Sequence, residues 1–189
     1  MVIATHIILI GYGHWLPNDP RGSYSKNVFI PHIAELGPLH QGRNPVQPSA
    51  PELREFHQQA KTALTFPVHW FSLEERAVIR DTFAEFHKEH RITSYACAIL
   101  PNHIHILVRR HFLSGQKIHN LLKACAGEAL KRGGFLPVAH PVFNAGQATH
   151  FKDTPSLTYE CARYIADNFA KHNLPEERYE FVSEYNGWR

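Results

Sequence analysis

Apolar, β-branched runs alternate with amphipathic stretches along this chain of 189 residues. Residues 2–10 are almost all aliphatic or β-branched, which predicts a buried strand at the start of the fold. Later segments of similar character are also expected to be strands, at about 92–100, at 103–109, around Val142 and at 149–152. The tight Pro101-Asn102 step between the two longer ones predicts a hairpin.

Four amphipathic segments predict helices, and the first three begin at a serine that can cap a helix. Ser49 and Glu52 have the spacing of a capping box, as do Ser72 and Glu75, and Ser114 is placed to cap a third helix. The predicted helices cover about 49–64, 72–90, 114–132 and 155–171.

The stretch between the first strand and the first helix is rich in glycine, proline and asparagine, so we expect a long loop at about 11–50. Neither a repeat nor a domain boundary is visible. The chain therefore predicts a single domain over 1–189, with a polar C-terminal tail from about residue 172. Strands and helices interleave without a regular βαβ period, which favours an α+β fold with a mainly antiparallel sheet and helices packed on it.

Composition is typical of a soluble globular protein, with 43% hydrophobic and 20% charged residues. No stretch approaches the ~20 consecutive apolar residues that a membrane span needs, and the first residues lack the features of a signal peptide. Three cysteines, Cys97, Cys125 and Cys161, form no CxxC pair, which argues against a disulfide framework or a cysteine zinc site. We therefore expect a cytoplasmic protein with no membrane partner.

Positive charge is concentrated in residues 93–152, which carry seven Lys and Arg residues against one acid, Glu128. The seven are Arg109, Arg110, Lys117, Lys123, Lys131, Arg132 and Lys152. On the predicted helix 114–132 the lysines lie opposite the apolar positions, so they are expected to face outward. A basic surface of this size attracts a polyanion, although basic segments are also often plain solvated faces.

Two histidines, His103 and His105, follow the predicted hairpin turn on an otherwise apolar strand. Residues two apart in a strand point to the same face, so their imidazoles are expected side by side on the solvent side, with Ile104 and Ile106 facing the core. Two neutral imidazoles at this spacing are a usual way to hold a divalent metal. The alternative is chance, because the chain contains 15 histidines.

The last predicted helix carries Tyr164 and Asn168, which are four residues apart and therefore share one face. Its buried side is expected to consist of Leu157, Cys161, Ile165 and Phe169. An amide near that side needs a partner, which is either a metal held by the histidines or a backbone group. Tyr159 falls on the opposite face, so Tyr164 is the stronger candidate for a nucleophile.

Four segments together resemble the REP-associated tyrosine transposases, a group of single-tyrosine HUH transposases. Residues 101–108 (PNHIHILV) resemble the HUH motif, and residues 164–168 (YIADN) resemble the helix with the catalytic tyrosine. Residues 11–22 (GYGHWLPNDPRG) are similar to the family's YGTWLPGDxRG segment, and residues 142–146 resemble its short W-x-x-G stretch. The matches occur in the family's order and span about residues 2–175.

The resemblance implies a ferredoxin-like sheet with helices on one side, and an enzyme that nicks and rejoins single-stranded DNA carrying a hairpin. It makes His103, His105 and Asn168 the ligands of Mg²⁺ or Mn²⁺, and Tyr164 the nucleophile that forms a 5′-phosphotyrosine. We expect this protein to act as a monomer or a homodimer. Phe169 stands where the family often has proline, which leaves the chemistry intact.

Candidate DNA contacts lie in the long loop and in the basic segment. Trp15, Arg21 and Tyr24 are placed to stack on or clamp unpaired bases, while Trp15 could equally fold back on the core. The basic candidates are Arg109, Arg110, Lys117 and Lys123.

Two other functions stay open. One is a domesticated relative that grips hairpin DNA without cutting it, against which the intact tyrosine and histidines argue. The other is an unrelated histidine-rich metal-binding protein or metallohydrolase, against which the lack of an HExxH motif argues.

Overall fold

The computed structural model describes residues 1–23, 31–146 and 148–187. Tyr24, a candidate for base stacking, lies outside these residues. Within the described ranges, no helix is long and apolar enough to cross a membrane.

Among the described residues, four strands form one antiparallel sheet, with the order β2-β3-β1-β4. The strands are Ala4–Ile10 (β1), Ser94–Ile99 (β2), His103–Arg109 (β3) and Ala148–Lys152 (β4). The prediction of an α+β fold with an antiparallel sheet is confirmed, and the strand order is compatible with a ferredoxin-like arrangement. The strand predicted around Val142 is reduced to a single β-bridge between Gly11 and Phe143.

Five helices accompany the sheet in the described ranges: Pro31–Ala34 (α1), Ala50–Ala63 (α2), Leu73–His90 (α3), Gly115–Arg132 (α4) and Pro155–Lys171 (α5). The capping boxes predicted for α2 and α3 are present, and Ser114 caps α4 as expected. Thr154 caps α5, ahead of a proline at the first helical position. Local capping chemistry therefore sets where these helices begin.

Side chains alternate between the two faces of the sheet, and different helices cover the two faces. The first residue of α4, Gly115, lies against Thr5 so closely that a Cβ there would be 2.5 Å from the threonine side chain. On the opposite face, Tyr164 of α5 contacts the rings of His6 and His105. Helices thus cover both faces of the sheet, and not one side as the resemblance implied. Because side chains alternate along a strand, His6 and His105 point away from α4 and towards α5.

The predicted long loop is partly a small packed unit with its own apolar cluster. It contains the four-residue helix α1, which the glycine- and proline-rich sequence did not predict. The buried members of the cluster are Tyr12, Leu16, Ile33, Phe56, Ala60 and Leu64. This packing against α2 fixes the start of the loop beside the hairpin that precedes β3.

The segment after α5 packs back on the sheet, although its sequence predicted a polar tail. Tyr179 and Tyr185 are buried, and the amide of Ser183 donates to the carbonyl of Ser94 at 2.8 Å. This pairing covers β2, which is an edge strand whose backbone groups would otherwise be open to solvent. The tyrosines are spread among charged residues, so no apolar run marked them.

Candidate active site

The extended backbone of β3 places His103 and His105 side by side, as predicted. Their ring centroids are 4.6 Å apart and the ring planes are perpendicular. The two Nε2 atoms are separated by 3.0 Å. Both side chains are buried, with 5% and 3% of their surface exposed. The expectation that they lie on the solvent side is therefore wrong, because α5 covers this face of the sheet.

Each imidazole is held at Nδ1 by a neighbour. Nδ1 of His103 lies 2.7 Å from Oδ1 of Asn102. That oxygen can only accept, so Nδ1 carries the hydrogen and Nε2 of His103 offers a lone pair. Nδ1 of His105 lies 2.9 Å from Nε2 of His6. Both Nε2 atoms are consequently directed at the same small region between the rings.

His6 is a part of the site that the sequence motif did not identify. It lies on β1, where the antiparallel register sets His6 beside Leu107 and Ile8 beside His105. Because side chains alternate, His6 points to the same face as the histidine pair. A clue was present in the sequence: a histidine inside an apolar, buried strand needs a hydrogen-bond partner. Which partner it finds depends on strand pairing.

Burial keeps these imidazoles neutral. Burial, together with the nearby histidines, lowers the pKa of His103 from its usual value to about 3. Burial likewise lowers the pKa of His6 to about 3 and holds the pKa of His105 well below its usual value, with His103 and His6 adding to the effect. Neutral imidazoles keep a lone pair for a cation at physiological pH.

One face of α5 runs along the histidine pair. The Tyr164 ring lies 5.5 Å from the His105 ring, and the His172 ring lies 5.3 Å from the His103 ring. Asn168 is midway between these two contacts, one helical turn from each, and is 4% exposed. The helix therefore carries Asn168 opposite the pair. His172, which follows the last helical residue, was not predicted.

The amide of Asn168 donates from Nδ2 to the carbonyl of Tyr164 at 2.6 Å. This is the backbone partner that the sequence left open as an alternative to a metal. This hydrogen bond uses one hydrogen of the amide nitrogen and does not involve the amide oxygen. The amide oxygen is the atom that would bind a cation.

The two tyrosines of α5 have different surroundings, although both are about half exposed. Tyr164 faces His6 and His105, and Nζ of Lys171 lies 4.3 Å from the centre of its ring. Tyr159 instead packs on Tyr185 of the C-terminal segment, at 4.7 Å between ring centroids. Only the first of these positions is next to the histidine pair, as the helical spacing predicted.

The buried side of α5 differs from the prediction at one position. Cys161, Ile165 and Phe169 are buried as expected, whereas Leu157 is 42% exposed. Thr158 is the buried residue in that turn, and its hydroxyl donates to the carbonyl of Thr154 at 2.8 Å. A hydroxyl that is hydrogen-bonded within its own helix can be buried at little cost. The apolar pattern therefore predicted burial of Leu157, whereas the structure buries the adjacent Thr158.

The pair fits a six-coordinate divalent cation. Two donors at a right angle, each about 2.1 Å from one ion, are about 3.0 Å from each other, and the Nε2 atoms of His103 and His105 are 3.0 Å apart. In the part of the chain that the structure describes, no three or more His, Cys, Asp or Glu side chains converge on a metal position. A cation at this pair would take its other ligands from an amide oxygen such as that of Asn168, or from water.

Similarity to characterised proteins adds nothing to this geometry. The chain matches no protein-family model and no curated protein.

The long loop brings an aromatic residue to the site. The Trp15 ring lies 5.6 Å from the His103 ring, edge to face. The guanidinium of Arg21 lies 4.4 Å above the Trp15 ring and makes two bonds to the Asp19 carboxylate, at 2.8 and 2.6 Å. Trp15 thus folds back onto the histidine pair, and the charge of Arg21 is balanced by its acidic neighbour.

The basic candidates do not converge on the histidines. Lys117 is exposed on α4, which lies on the opposite face of the sheet, and Arg110 is exposed beyond the far end of β3. Arg109, the half-buried last residue of β3, is six residues from His103, or about 20 Å along an extended strand.

Lys123 does not belong to an outward lysine face. Its Nζ donates to the carbonyl of Asn144, and burial lowers its pKa. The buried side of α4 includes His119, Ala126 and Leu130 and so extends to the position next to Lys123, where the segment around Asn144 covers it. We therefore correct the expectation that Lys123 faces outward.

Proposed function

We propose that this chain is a single-tyrosine HUH transposase-like enzyme, which nicks and rejoins single-stranded DNA beside a hairpin. The observation that carries the proposal is the shared face of α5 and β3. There, Tyr164 lies against His105, and the two Nε2 atoms of the histidine pair are 3.0 Å apart. A nucleophile and a pair of neutral metal-binding nitrogens are thus adjacent, on rigid elements of the fold.

The reaction that suits these groups is transesterification. The Tyr164 oxygen attacks the phosphorus of a DNA phosphodiester, a bond from the tyrosine to phosphorus forms, and the bond to the 3′ oxygen breaks. The phenol loses its proton and the departing 3′ oxygen gains one. The product is a 5′-phosphotyrosine, which keeps the energy of the phosphodiester, so a 3′ hydroxyl can reverse the step and rejoin the strand without a nucleotide cofactor.

A divalent cation bound by His103, His105 and Asn168 would polarise the phosphate and neutralise its developing charge. Imidazole nitrogen is a softer donor than the oxygen ligands that Mg²⁺ prefers, so this donor set favours Mn²⁺ over Mg²⁺.

Charge near the tyrosine also suits a phosphate substrate. The three imidazoles are neutral, and the ammonium group of Lys171 lies over the Tyr164 ring. Lys171 thus places a positive charge beside the nucleophile, and such a charge attracts a phosphodiester. We expect the enzyme to act in the cytoplasm, as a monomer or homodimer.

The decisive experiment is a covalent trap. The protein is incubated with Mn²⁺ and hairpin DNA from the flanks of its own gene, and the adduct is mapped by mass spectrometry. We expect a nucleotide on Tyr164, full loss of adduct in Tyr164→Phe, and an unchanged adduct in the matched control Tyr159→Phe. Hairpin binding without any adduct would instead identify a DNA-binding protein that has lost cleavage. An adduct on Tyr159 would overturn the assigned site.

A further inference from the structure

Trp70 is a large aromatic side chain that the fold leaves open to solvent. It lies two residues before the N-cap of α3 and is 58% exposed. Its indole meets the His14 ring edge to face, with 4.4 Å between centroids. An indole held in one orientation with so much apolar surface in water is typical of a contact surface.

Backbone hydrogen bonds hold Trp70 in place from both sides. Before it, the amide of His69 donates to the carbonyl of Tyr12 at 2.9 Å, and Nε2 of His14 is 2.9 Å from the carbonyl of His69. After it, the amide of Phe71 donates to the carbonyl of Pro101 at 2.7 Å. Trp70 is therefore fixed between the loop that carries Trp15 and the turn that precedes β3.

Gly11 shows how closely these segments approach one another. Its amide donates to the carbonyl of Asn102 at 2.9 Å. A Cβ at Gly11 would lie 3.0 Å from that carbonyl oxygen and 3.2 Å from the carbonyl oxygen of His69. A side chain at this position would crowd both carbonyl oxygens, so glycine favours the close approach of the three segments. The position of Trp70 relative to His103 is thus determined by short, direct contacts.

Aromatic side chains link this junction to the candidate active site. Trp70 contacts His14, the next residue Trp15 contacts His103, and His103 is paired with His105, which contacts Tyr164. His103 and His105 are buried, so the exposed rings of this series are those at its two ends, Trp70 and Tyr164. Base-aromatic stacking works with any base, because every base has a π face. A strand whose phosphate lies at Tyr164 could therefore place an unpaired base of its flank on Trp70.

We propose that Trp70, supported by His14, is a stacking platform for an unpaired base of single-stranded DNA that flanks the cleaved phosphate. The partner follows from chemistry: an exposed indole beside a site for phosphodiester chemistry fits a nucleobase. The platform lies at the His103 end of the pair, away from the exposed Lys117 and Arg110, so it supplies contact to bases and not to phosphates. This inference rests on the proposed function.

The test measures binding apart from cleavage. In a Tyr164→Phe background, affinities for oligothymidylate and for a blunt, fully paired DNA duplex are measured by fluorescence anisotropy. Loss of one stacked base is worth about 1–3 kcal/mol, or roughly 5- to 150-fold. We expect Trp70→Ala to weaken oligothymidylate binding within that range, to leave duplex binding nearly unaffected, and to keep the salt dependence unchanged, since no phosphate contact is lost.

Two further variants make the result specific. Trp70→Phe keeps an aromatic face and should retain most of the affinity. Phe151→Ala is the matched control, because Phe151 is 63% exposed but pairs in register with Thr5 and so points to the other face of the sheet. It should bind oligothymidylate like the parent.

Several outcomes would overturn the platform. One is parental affinity in Trp70→Ala while the wild-type protein still forms its Tyr164 adduct, which would leave the proposed function standing. Another is a change of oligomeric state in Trp70→Ala with unchanged DNA binding, which would make Trp70 a protein contact. Failure of the wild-type protein and of the Tyr164→Phe background to bind single-stranded DNA would overturn the proposed function together with the platform.

Discussion

Nε2 of His6 lies 2.9 Å from Nδ1 of His105, and this contact joins the two central strands of the sheet beneath α5. The ring of His105 is thereby fixed in orientation, with its Nε2 towards His103. A histidine that binds a metal usually makes such a bond from its other nitrogen, which sets the tautomer and strengthens the ligand. His6 is accordingly a positioning residue for the candidate metal pair.

Replacement of His6 should weaken metal binding without removing a ligand. Loss of such a supporting partner typically costs 10–100-fold in affinity, and we expect a fall of about that size for Mn²⁺ in His6→Ala, measured by titration calorimetry. His90→Ala is a suitable control, since His90 packs on Phe86 in α3. Equal affinity in His6→Ala and the parent would show that His6 has no role in orienting His105.

The metal should stabilise the fold through the histidine pair. A ligand present at 100 times its dissociation constant adds about 2.7 kcal/mol to the free energy of unfolding. We expect saturating Mn²⁺ to raise the thermal midpoint of the parent, and to have no such effect in His103→Gln or His105→Gln. Both variants should also lose nicking. Because the two side chains are buried, each variant should be less stable than the parent even without metal.

Persistence of the Mn²⁺-dependent stabilisation in both variants would contradict the assignment of these ligands. The same scan with Mg²⁺ should give a smaller shift at equal concentration, because the two nitrogen donors suit Mn²⁺ better.

The salt dependence of DNA binding should come from the exposed basic residues. For single strands, each lost phosphate contact reduces the slope of log affinity against log salt by about 0.7. We expect the double variant Lys117→Ala, Arg110→Ala to bind more weakly with a shallower slope. In contrast, Lys123→Met should leave the slope unchanged and lower stability, since its Nζ is bonded to the carbonyl of Asn144. A slope that responds only to Lys123 would reverse this assignment.

Acid should destabilise the protein partly through His87. This histidine is buried near the end of α3, with Nδ1 2.6 Å from the carbonyl of Phe83 and Nε2 2.8 Å from Oγ of Ser94. Burial lowers its pKa from 6.5 to about 4. Between pH 6.5 and 4, His87 is therefore protonated in the unfolded chain but not in the folded chain. The free energy of unfolding falls as the pH drops through this range, and the contribution of His87 becomes constant below pH 4.

A tenfold change in proton affinity is worth about 1.4 kcal/mol, so His87 alone removes up to about 3 kcal/mol over that range. Urea unfolding at a series of pH values should show a flatter profile for His87→Gln than for the parent between pH 6.5 and 4. Parallel profiles would mean that His87 is not held neutral in the fold.

Much of the secondary structure was determined by local sequence. Local signals lie within a few residues of one another and can be recognised from the sequence. They include the capping serines at the starts of α2, α3 and α4, the apolar run of β1, and the hairpin turn between β2 and β3. The same holds for the side-by-side histidines and for the shared face of Tyr164 and Asn168, because strand and helix periodicity are properties of the backbone alone.

Tertiary structure decided everything that depends on contacts between distant residues. Pairing of β1 with β3 brings His6 to His105, 99 positions apart, and the docking of α5 buries a histidine pair that the strand pattern had left on the solvent side. The long loop folds so that Trp15 lies against His103, and the separate segment around Asn144 covers Lys123. Each of these contacts closes a long loop, and packing must offset the chain entropy that loop closure loses. The periodicity of a single segment carries no information about which distant surface it will contact.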